Sequence, residues 1–315
     1  MRMLAAVSVD LDSLPHYCRI HGLAEALLDA RAKQLVADVA IPRFLDLLAE
    51  TGAPATFFAI GEDARTLATA AALGRAHRAG VELASHSHAH DYRLSRALPE
   101  QIAEDLAQAD AALEVITGSA PAGFRAPGYT LSAPLYEATE ARGYLYGSSV
   151  FPAAPYWAAK AAVMGALALA GRPSHAQLDS PRVLLAPRTP YWPDRAAPYR
   201  RGTGEVLELP ITVTPRLRLP FIGTLVTSLP WALVRRCYRA CLSAPLFNFE
   251  LHALDLLDAS DGIPEALVAR QRDLRTAWPQ KRARIATVLR WLAEDGALVT
   301  LADAARELAT RVPRG

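Results

Sequence analysis

Between residues 4 and 150, short β-type runs alternate with longer helical patterns, and this rhythm narrows the possible folds more than any other feature of the chain. The runs occupy 4–12 (LAAVSVDLD), 55–61 (ATFFAIG), 81–86 (VELASH), 122–127 (AGFRAP) and 144–150 (YLYGSSV). Helical patterns fill 41–51, 64–79, 99–117 and 132–141. Pro99 suits the first turn of its helix, where no backbone donor is missed, and Gly118 suits a helix stop. Strands and helices in strict alternation predict βα units around a mainly parallel sheet, so the expected class is α/β.

The rhythm fails from Phe151 to about Gly204, where an alanine-rich segment precedes the Pro/Arg-rich stretch PRVLLAPRTPYWPDRAAPYRRG. Strand patterns return at 206–213, 245–252 and 297–301, with helical patterns at 285–295 and 302–310. No internal repeat or low-complexity linker divides the chain, so a single domain over 1–315 with an insertion at about 151–204 is expected. At 51% hydrophobic residues the 315-residue chain has ample material for a core, which excludes disorder. Lys+Arg 34 against Asp+Glu 32, a net charge of +2, argues against a general nucleic-acid binder.

Cys18, Cys237 and Cys241 form no metal spacing, and an odd number is a poor basis for a disulfide framework, so a reducing compartment is expected. The run MRMLAAVSVDLD reaches two aspartates too soon for the apolar core of a secretory signal and reads as a buried first strand. The longest apolar stretch, Ala161 to Gly171, flanked by Lys160 and Arg172, falls short of the ~20 residues that cross a bilayer. The expected location is therefore cytoplasmic.

Asp10 and Asp12 end the first strand pattern, and the period of two puts both carboxylates on one face. A lone DxD is more often a loop or capping pair, since short motifs match by chance. His86 and His90, in SHSHAHDY, are four apart, so one helical turn would bring both imidazoles to one side while His88 points elsewhere. Two histidines plus Asp12 would leave coordination positions open for water and substrate, the arrangement of a catalytic metal site. Arg125, in FRAPGY, follows a further strand and could hold a carboxylate through its guanidinium fork. His252, in FNFELHALD, closes the last strongly apolar run, where a structural histidine is the usual reading.

The joint order is far less accidental than its parts. DxD, HSxxH, RAPG and LH each fall at the C-terminal end of a predicted strand, where barrel active sites assemble. In these motifs the sequence resembles the polysaccharide deacetylase family, also called the NodB-homology or carbohydrate esterase family 4 group, over most of the chain outside the insertion. The resemblance implies a distorted (β/α) barrel with Asp10 as base, Asp12, His86 and His90 as metal ligands, Arg125 orienting the base and His252 as general acid. Pro127, Gly128 and Tyr129 would contact substrate. The family's first motif usually has adjacent aspartates, whereas Leu11 separates them here. That form is similar to the branch holding some peptidoglycan deacetylases, allantoinase-like members and the lipid-linked aminoarabinose deformylase. No counterpart of the family's fourth motif stands out, and Glu208 lies where one would be sought.

The resemblance thus implies a metal-dependent hydrolase that would remove an acetyl or formyl group from an amino sugar. Zn²⁺ is the simplest ion for the site, with a backbone N–H near Tyr129 helping to hold the oxyanion. From Arg182 to Arg239 there are ten arginines, no lysine and only Asp194, Glu205 and Glu208 as acids, a local net charge of +7. With TPYWPD and an apolar run beside it, this stretch suits an anionic lipid headgroup or a phosphate-linked substrate, and hence peripheral contact with the inner face of a bacterial membrane. A solvated arginine-rich face is the plain alternative. His16, Tyr17, Arg19 and His21 are candidates for the pocket wall. Two rivals remain at this stage: an allantoinase-like amidohydrolase acting on a small amide, and a silent carbohydrate-binding protein.

Overall fold

The computed structural model describes residues 2–169, 171 and 176–315. Eight parallel strands form one sheet: β1 (Met3–Asp10), β2 (Ala55–Ala59), β3 (Glu82–Ser85), β4 (Gly123–Phe124), β5 (Tyr146–Gly147), β6 (Leu207–Glu208), β7 (Leu246–His252) and β8 (Gly296–Leu298). Their order is β6-β5-β4-β3-β2-β1-β7. β8 pairs Met3–Ala5 of β1, below the point where β2 joins at Val7. Every residue of β1 is buried, which explains why its sequence is almost continuously apolar instead of alternating: a parallel strand at the centre of a sheet is covered on both faces.

The longer helices are α1 (Leu14–Ile20), α2 (Ile41–Thr51), α3 (Leu67–Arg78), α4 (Pro99–Thr117), α5 (Ala133–Ala141), α6 (Ala154–Leu169), α7 (Trp231–Cys241), α8 (Trp278–Asp295) and α9 (Leu301–Ala309). α4 begins at Pro99 and stops against Gly118, whose φ of 77° gives the left-handed cap that a glycine takes without strain. Along β2 the side chains alternate. Phe57 packs outward on Phe44 of α2, with ring centroids 5.6 Å apart, while Phe58 lies under the Arg125 guanidinium at 4.0 Å.

The sheet curls, and residues 209–213 bridge its edges: Leu209 N–H donates to Gly147 O, Ile211 N–H to Val150 O, and Thr212 N–H to Asn248 O on β7. The expected distorted (β/α) barrel is therefore present. Several of its strands are shorter than the sequence pattern implies. Only Gly123–Phe124 of the run 122–127 and Leu207–Glu208 of 206–213 join the ladder, because tight turns and cross-barrel bonds take over the backbone donors around them.

Within 151–204 the apolar segment forms α6, none of whose residues is buried. Ala170 and Arg172, the end of that segment, lie outside the described residues. The aromatic residues of TPYWPD do not face solvent. Tyr191 and Trp192 are buried, their polar atoms donating to Pro198 O and Val312 O. Buried rings need internal partners for their O–H and N–H groups, and these carbonyls supply them.

Candidate active site

The C-terminal ends of β1, β3, β4 and β7 deliver the motif residues to one end of the barrel. Asp10 is the last residue of β1 and His252 the last of β7, and the two are paired in register. Just beyond β1, Asp12 faces the loop after β3. That loop is not the helical turn expected from the spacing of His86 and His90. Ser87 and His90 adopt left-handed backbone angles, φ 64° and 50°, and polar bonds fix the path. Ser87 Oγ accepts from His90 N–H, and the Asp105 carboxylate on α4 accepts from the amides of His88 and Ala89. Strained backbone of this kind persists only where its surroundings over-determine it.

The loop brings His86 Nε2 to 3.3 Å and His90 Nε2 to 3.2 Å from Asp12 Oδ1. Ligand atoms of the three buried residues lie within 4.8 Å of one another. His86 Nδ1 is 2.8 Å from the carbonyl oxygen of Arg125, a contact that fixes ring orientation in histidine metal sites. Asp12 Oδ1 and His90 Nε2 are buried without a hydrogen-bond partner among the described residues, a costly condition unless another group satisfies them. A divalent cation fits that donor set. Burial opposes the charge on Asp12, yet the two imidazoles outweigh it and hold the carboxyl well below its usual range. Burial lowers His90 to about 4, leaving it neutral, the form that donates a lone pair. His88 lies outside this group, beside Gly61.

A second cluster adjoins the first. Arg125, fully buried, donates to Asp10 Oδ1 through Nη1, to Ser8 Oγ and Ser148 Oγ through Nη2, and to Ser148 O through Nε. Four of the five guanidinium donors are thus used, and Asp10 is fixed in place. His252 Nδ1 lies 2.8 Å from Glu250 Oε1. The Tyr129 hydroxyl lies 3.3 Å from Asp10 Oδ2, 3.0 Å from Glu250 Oε1 and 3.1 Å from His252 Nε2. Burial works against a charged His252, but Glu250 and then Asp10 raise it well above its ordinary value. Asp10, Glu250 and His252 also have ligand atoms within 4.8 Å of one another, but the Arg125 guanidinium and the Tyr129 hydroxyl already serve this group. Within it the protonated form of His252 is favoured.

Glu250 was missed by motif reading, although a signal exists: Asn248, Glu250 and His252 alternate with Phe247, Phe249 and Leu251, so the polar positions share the inner face of β7. Glu208 is elsewhere. Its Oε1 accepts from the amides of Ser149 and Val150, and burial pushes its carboxyl up to about 7; it anchors the segment after β5 and does not touch His252. The backbone N–H of Tyr129 donates to Ala126 O, so this amide is not free to hold an oxyanion; the phenolic hydroxyl enters the site instead.

Both clusters open into a cavity of about 390 Å³ lined by Asp10, Asp12, His86, Tyr129 and His252. Tyr17 and His21 also line it, whereas His16 and Arg19 line a neighbouring hollow behind His90. Gly128 contributes to the wall, and Pro127 is buried without lining it. Six residues of α6 also line it: Tyr156, Ala159, Lys160, Val163, Met164 and Leu167. Val163 is 58% exposed, which places α6 at the mouth.

A curled parallel barrel with a two-histidine, one-carboxylate cluster beside a fixed Asp and a Glu–His pair defines the class of protein. Residues 36–147 match the family model described as "Polysaccharide deacetylase". Over 149 residues the chain is 26% identical to the peptidoglycan deacetylase of Helicobacter pylori, covering 47% of this chain and 50% of that protein. The match therefore spans about half the length of that curated relative. A structure described as a polysaccharide deacetylase from Mycobacterium smegmatis superposes with a TM-score of 0.62 at 19% identity, covering 99% of this chain and 92% of the other. A second, from Pseudomonas aeruginosa PAO1, gives 0.59 at 18% identity over 100% and 93%. The structure of Puue allantoinase also gives 0.59, at 16% identity over 100% and 92%. These likenesses show the fold. The sequence likeness to the polysaccharide deacetylase family is carried by residues 36–147, and the likeness over the whole chain is one of fold.

Proposed function

We propose that the protein is a metal-dependent N-deacylase that hydrolyses the acetyl or formyl amide of an amino sugar. The observation that carries this reading is the pair of adjoining buried clusters: orphaned ligand atoms on Asp12 and His90 beside a fixed carboxylate and a proton-holding histidine. Asp12, His86 and His90 would hold the ion, and two imidazoles with one carboxylate suit Zn²⁺ with positions left open. When bound, such an ion supplies Lewis-acid polarisation of the amide carbonyl.

The chain's own residues do the proton work. Asp10, oriented by Arg125, takes a proton from the attacking water as its oxygen bonds to the acyl carbon. Protonated His252, paired with Glu250, gives its proton to the amine nitrogen as the C–N bond breaks, since an amine leaves poorly without one. The Tyr129 hydroxyl, in contact with Asp10, Glu250 and His252, links the base and acid sides of the site.

The metal-loaded protein, assayed for free amine from N-acetyl and N-formyl amino sugars, is expected to release amine and to stop doing so after chelation. Absence of turnover on all of them overturns the reading. The allantoinase-like alternative draws support from the modest cavity with α6 across its mouth, and turnover of a small amide such as allantoin with none of any amino sugar would favour it.

We further propose peripheral membrane contact. No helix among the described residues is long and apolar enough to cross a membrane, but α6 carries exposed Val163 and Leu169, and an apolar helix of this kind can lie in an interface. Arg235, Arg236 and Arg239 are exposed on α7, where they would meet an anionic headgroup layer. Failure to pellet with anionic liposomes at low salt would overturn this proposal.

A further inference from the structure

The arginines of 182–239 are the sequence's candidates for an anion, but among the described residues no arginine lines the cavity. Its one lysine is Lys160, on α6. The ammonium is held in an unusual way. Nζ donates to Gly128 O at 3.3 Å and lies 6.0 Å from the ring centroids of Tyr92 and Tyr156, both of which line the cavity. No carboxylate comes within ion-pair distance of it among the described residues: Asp179 acts on it only through longer-range attraction, with one of its oxygens taken by the Tyr199 hydroxyl and the Ser180 amide.

An ammonium has three donors, and among the described residues one weak carbonyl contact leaves the others for the cavity. Partial burial lowers Lys160 to about 8, so the group still carries its charge at neutral pH while partly desolvated. A cation in such a place is costly unless an anion meets it, and the surrounding wall of Val163, Met164 and Leu167 supplies none. Position adds to this: α6 stands at the mouth, where a substituent remote from the scissile amide would rest.

We propose that Lys160 is the specificity-determining residue of this site and seats an anionic substituent, a phosphoryl or carboxylate group, carried by the amino-sugar substrate. This rests on the N-deacylase reading above. The contact is of the charge-assisted kind, with Lys acting as a point charge toward phosphate or carboxylate.

The test uses the full metal-loaded chain and its Lys160→Gln variant on four probes: N-acetylglucosamine, N-acetylmuramic acid, N-acetylglucosamine 1-phosphate and the dodecyl phosphodiester of the last. Binding of glucosamine and glucosamine 1-phosphate to the metal-free protein is measured beside turnover. The expected result is kcat/KM at least about tenfold higher for an anionic probe than for the neutral one, as a charge-assisted contact provides, with the preference expressed in KM and lost in Lys160→Gln. Preference for the dodecyl diester over the free phosphate would assign the anion to a lipid carrier, and the reverse to a soluble sugar phosphate. An anionic preference that survives in Lys160→Gln, or no preference in the wild type, overturns the proposal. If no probe is turned over, the deacylase reading fails, and binding then decides Lys160 separately. Tighter binding of glucosamine 1-phosphate than of glucosamine, abolished by Lys160→Gln, supports the anion site, and equal binding overturns it.

Discussion

Glu250 Oε1 lies 2.8 Å from His252 Nδ1, two residues along the same strand, so a single backbone segment carries both the proposed proton donor and the carboxylate beside it. Burial works against the imidazolium, and Glu250 and Asp10 outweigh it. The protonated form of His252 is therefore favoured, and activity that needs this proton falls as pH rises through its raised value. The sign for stability is the same: a raised folded value means that the imidazolium stabilises the fold fully below its ordinary value of 6.5 and that this contribution is lost on the alkaline side. Glu250→Gln removes the main supporting charge. The alkaline limb of the kcat profile should move to lower pH in the variant, and an unmoved limb would show that Glu250 does not charge His252.

Metal content and turnover should separate. Asp12→Ala and His90→Ala each delete a ligand of the cluster whose atoms lie within 4.8 Å, and both should lose bound ion along with activity. His252→Ala should keep the ion yet lose about 10²- to 10⁴-fold in kcat, the usual contribution of a positioned acid. Elemental analysis of the purified variants beside their rates checks this, and equal metal loss in His252→Ala would break the assignment.

The parallel barrel and the order of motifs were legible because buried strands write themselves as apolar runs, as Met3–Asp10 and Leu246–His252 do. The path between motifs was not. Spacing alone suggests a helical turn from His86 to His90, but left-handed residues at Ser87 and His90, with the His88 and Ala89 amides between them held by Asp105 of the next long helix, leave no periodic trace in sequence. Lys160 was equally hidden, since its place at the cavity depends on how α6 crosses the barrel end. Glu250, by contrast, could have been read from the period-two polar face of β7.

Arg125 and Asp10 form a fully buried ion pair inside the barrel. Removing one partner of such a pair leaves an uncompensated charge, so Arg125→Met should destabilise the fold by about 3–5 kcal/mol in denaturant unfolding. Neutralising Asp10 at the same time should recover part of that loss. The double variant Arg125→Met with Asp10→Asn is expected to unfold at higher denaturant than Arg125→Met alone, and additive losses would show that Ser8 and Ser148, not Asp10, are what the guanidinium serves.

Gly128 and Gly52 share a left-handed backbone, φ 62° and 64°, but differ in surroundings. A Cβ on Gly52 would meet nothing within 4 Å, whereas one on Gly128 would come 2.4 Å from the Tyr92 ring. Gly52→Ala should therefore cost only the backbone strain of a non-glycine residue at positive φ, about 1 kcal/mol. Gly128→Ala must in addition displace Tyr92, which lines the cavity and whose ring centroid lies 5.1 Å from that of His90. Its unfolding midpoint should drop further than that of Gly52→Ala, and its affinity for metal should weaken while that of Gly52→Ala does not. Equal midpoints and equal metal affinity in the two variants would mean that the wall formed by Gly128 and Tyr92 yields freely and does not hold His90 in place.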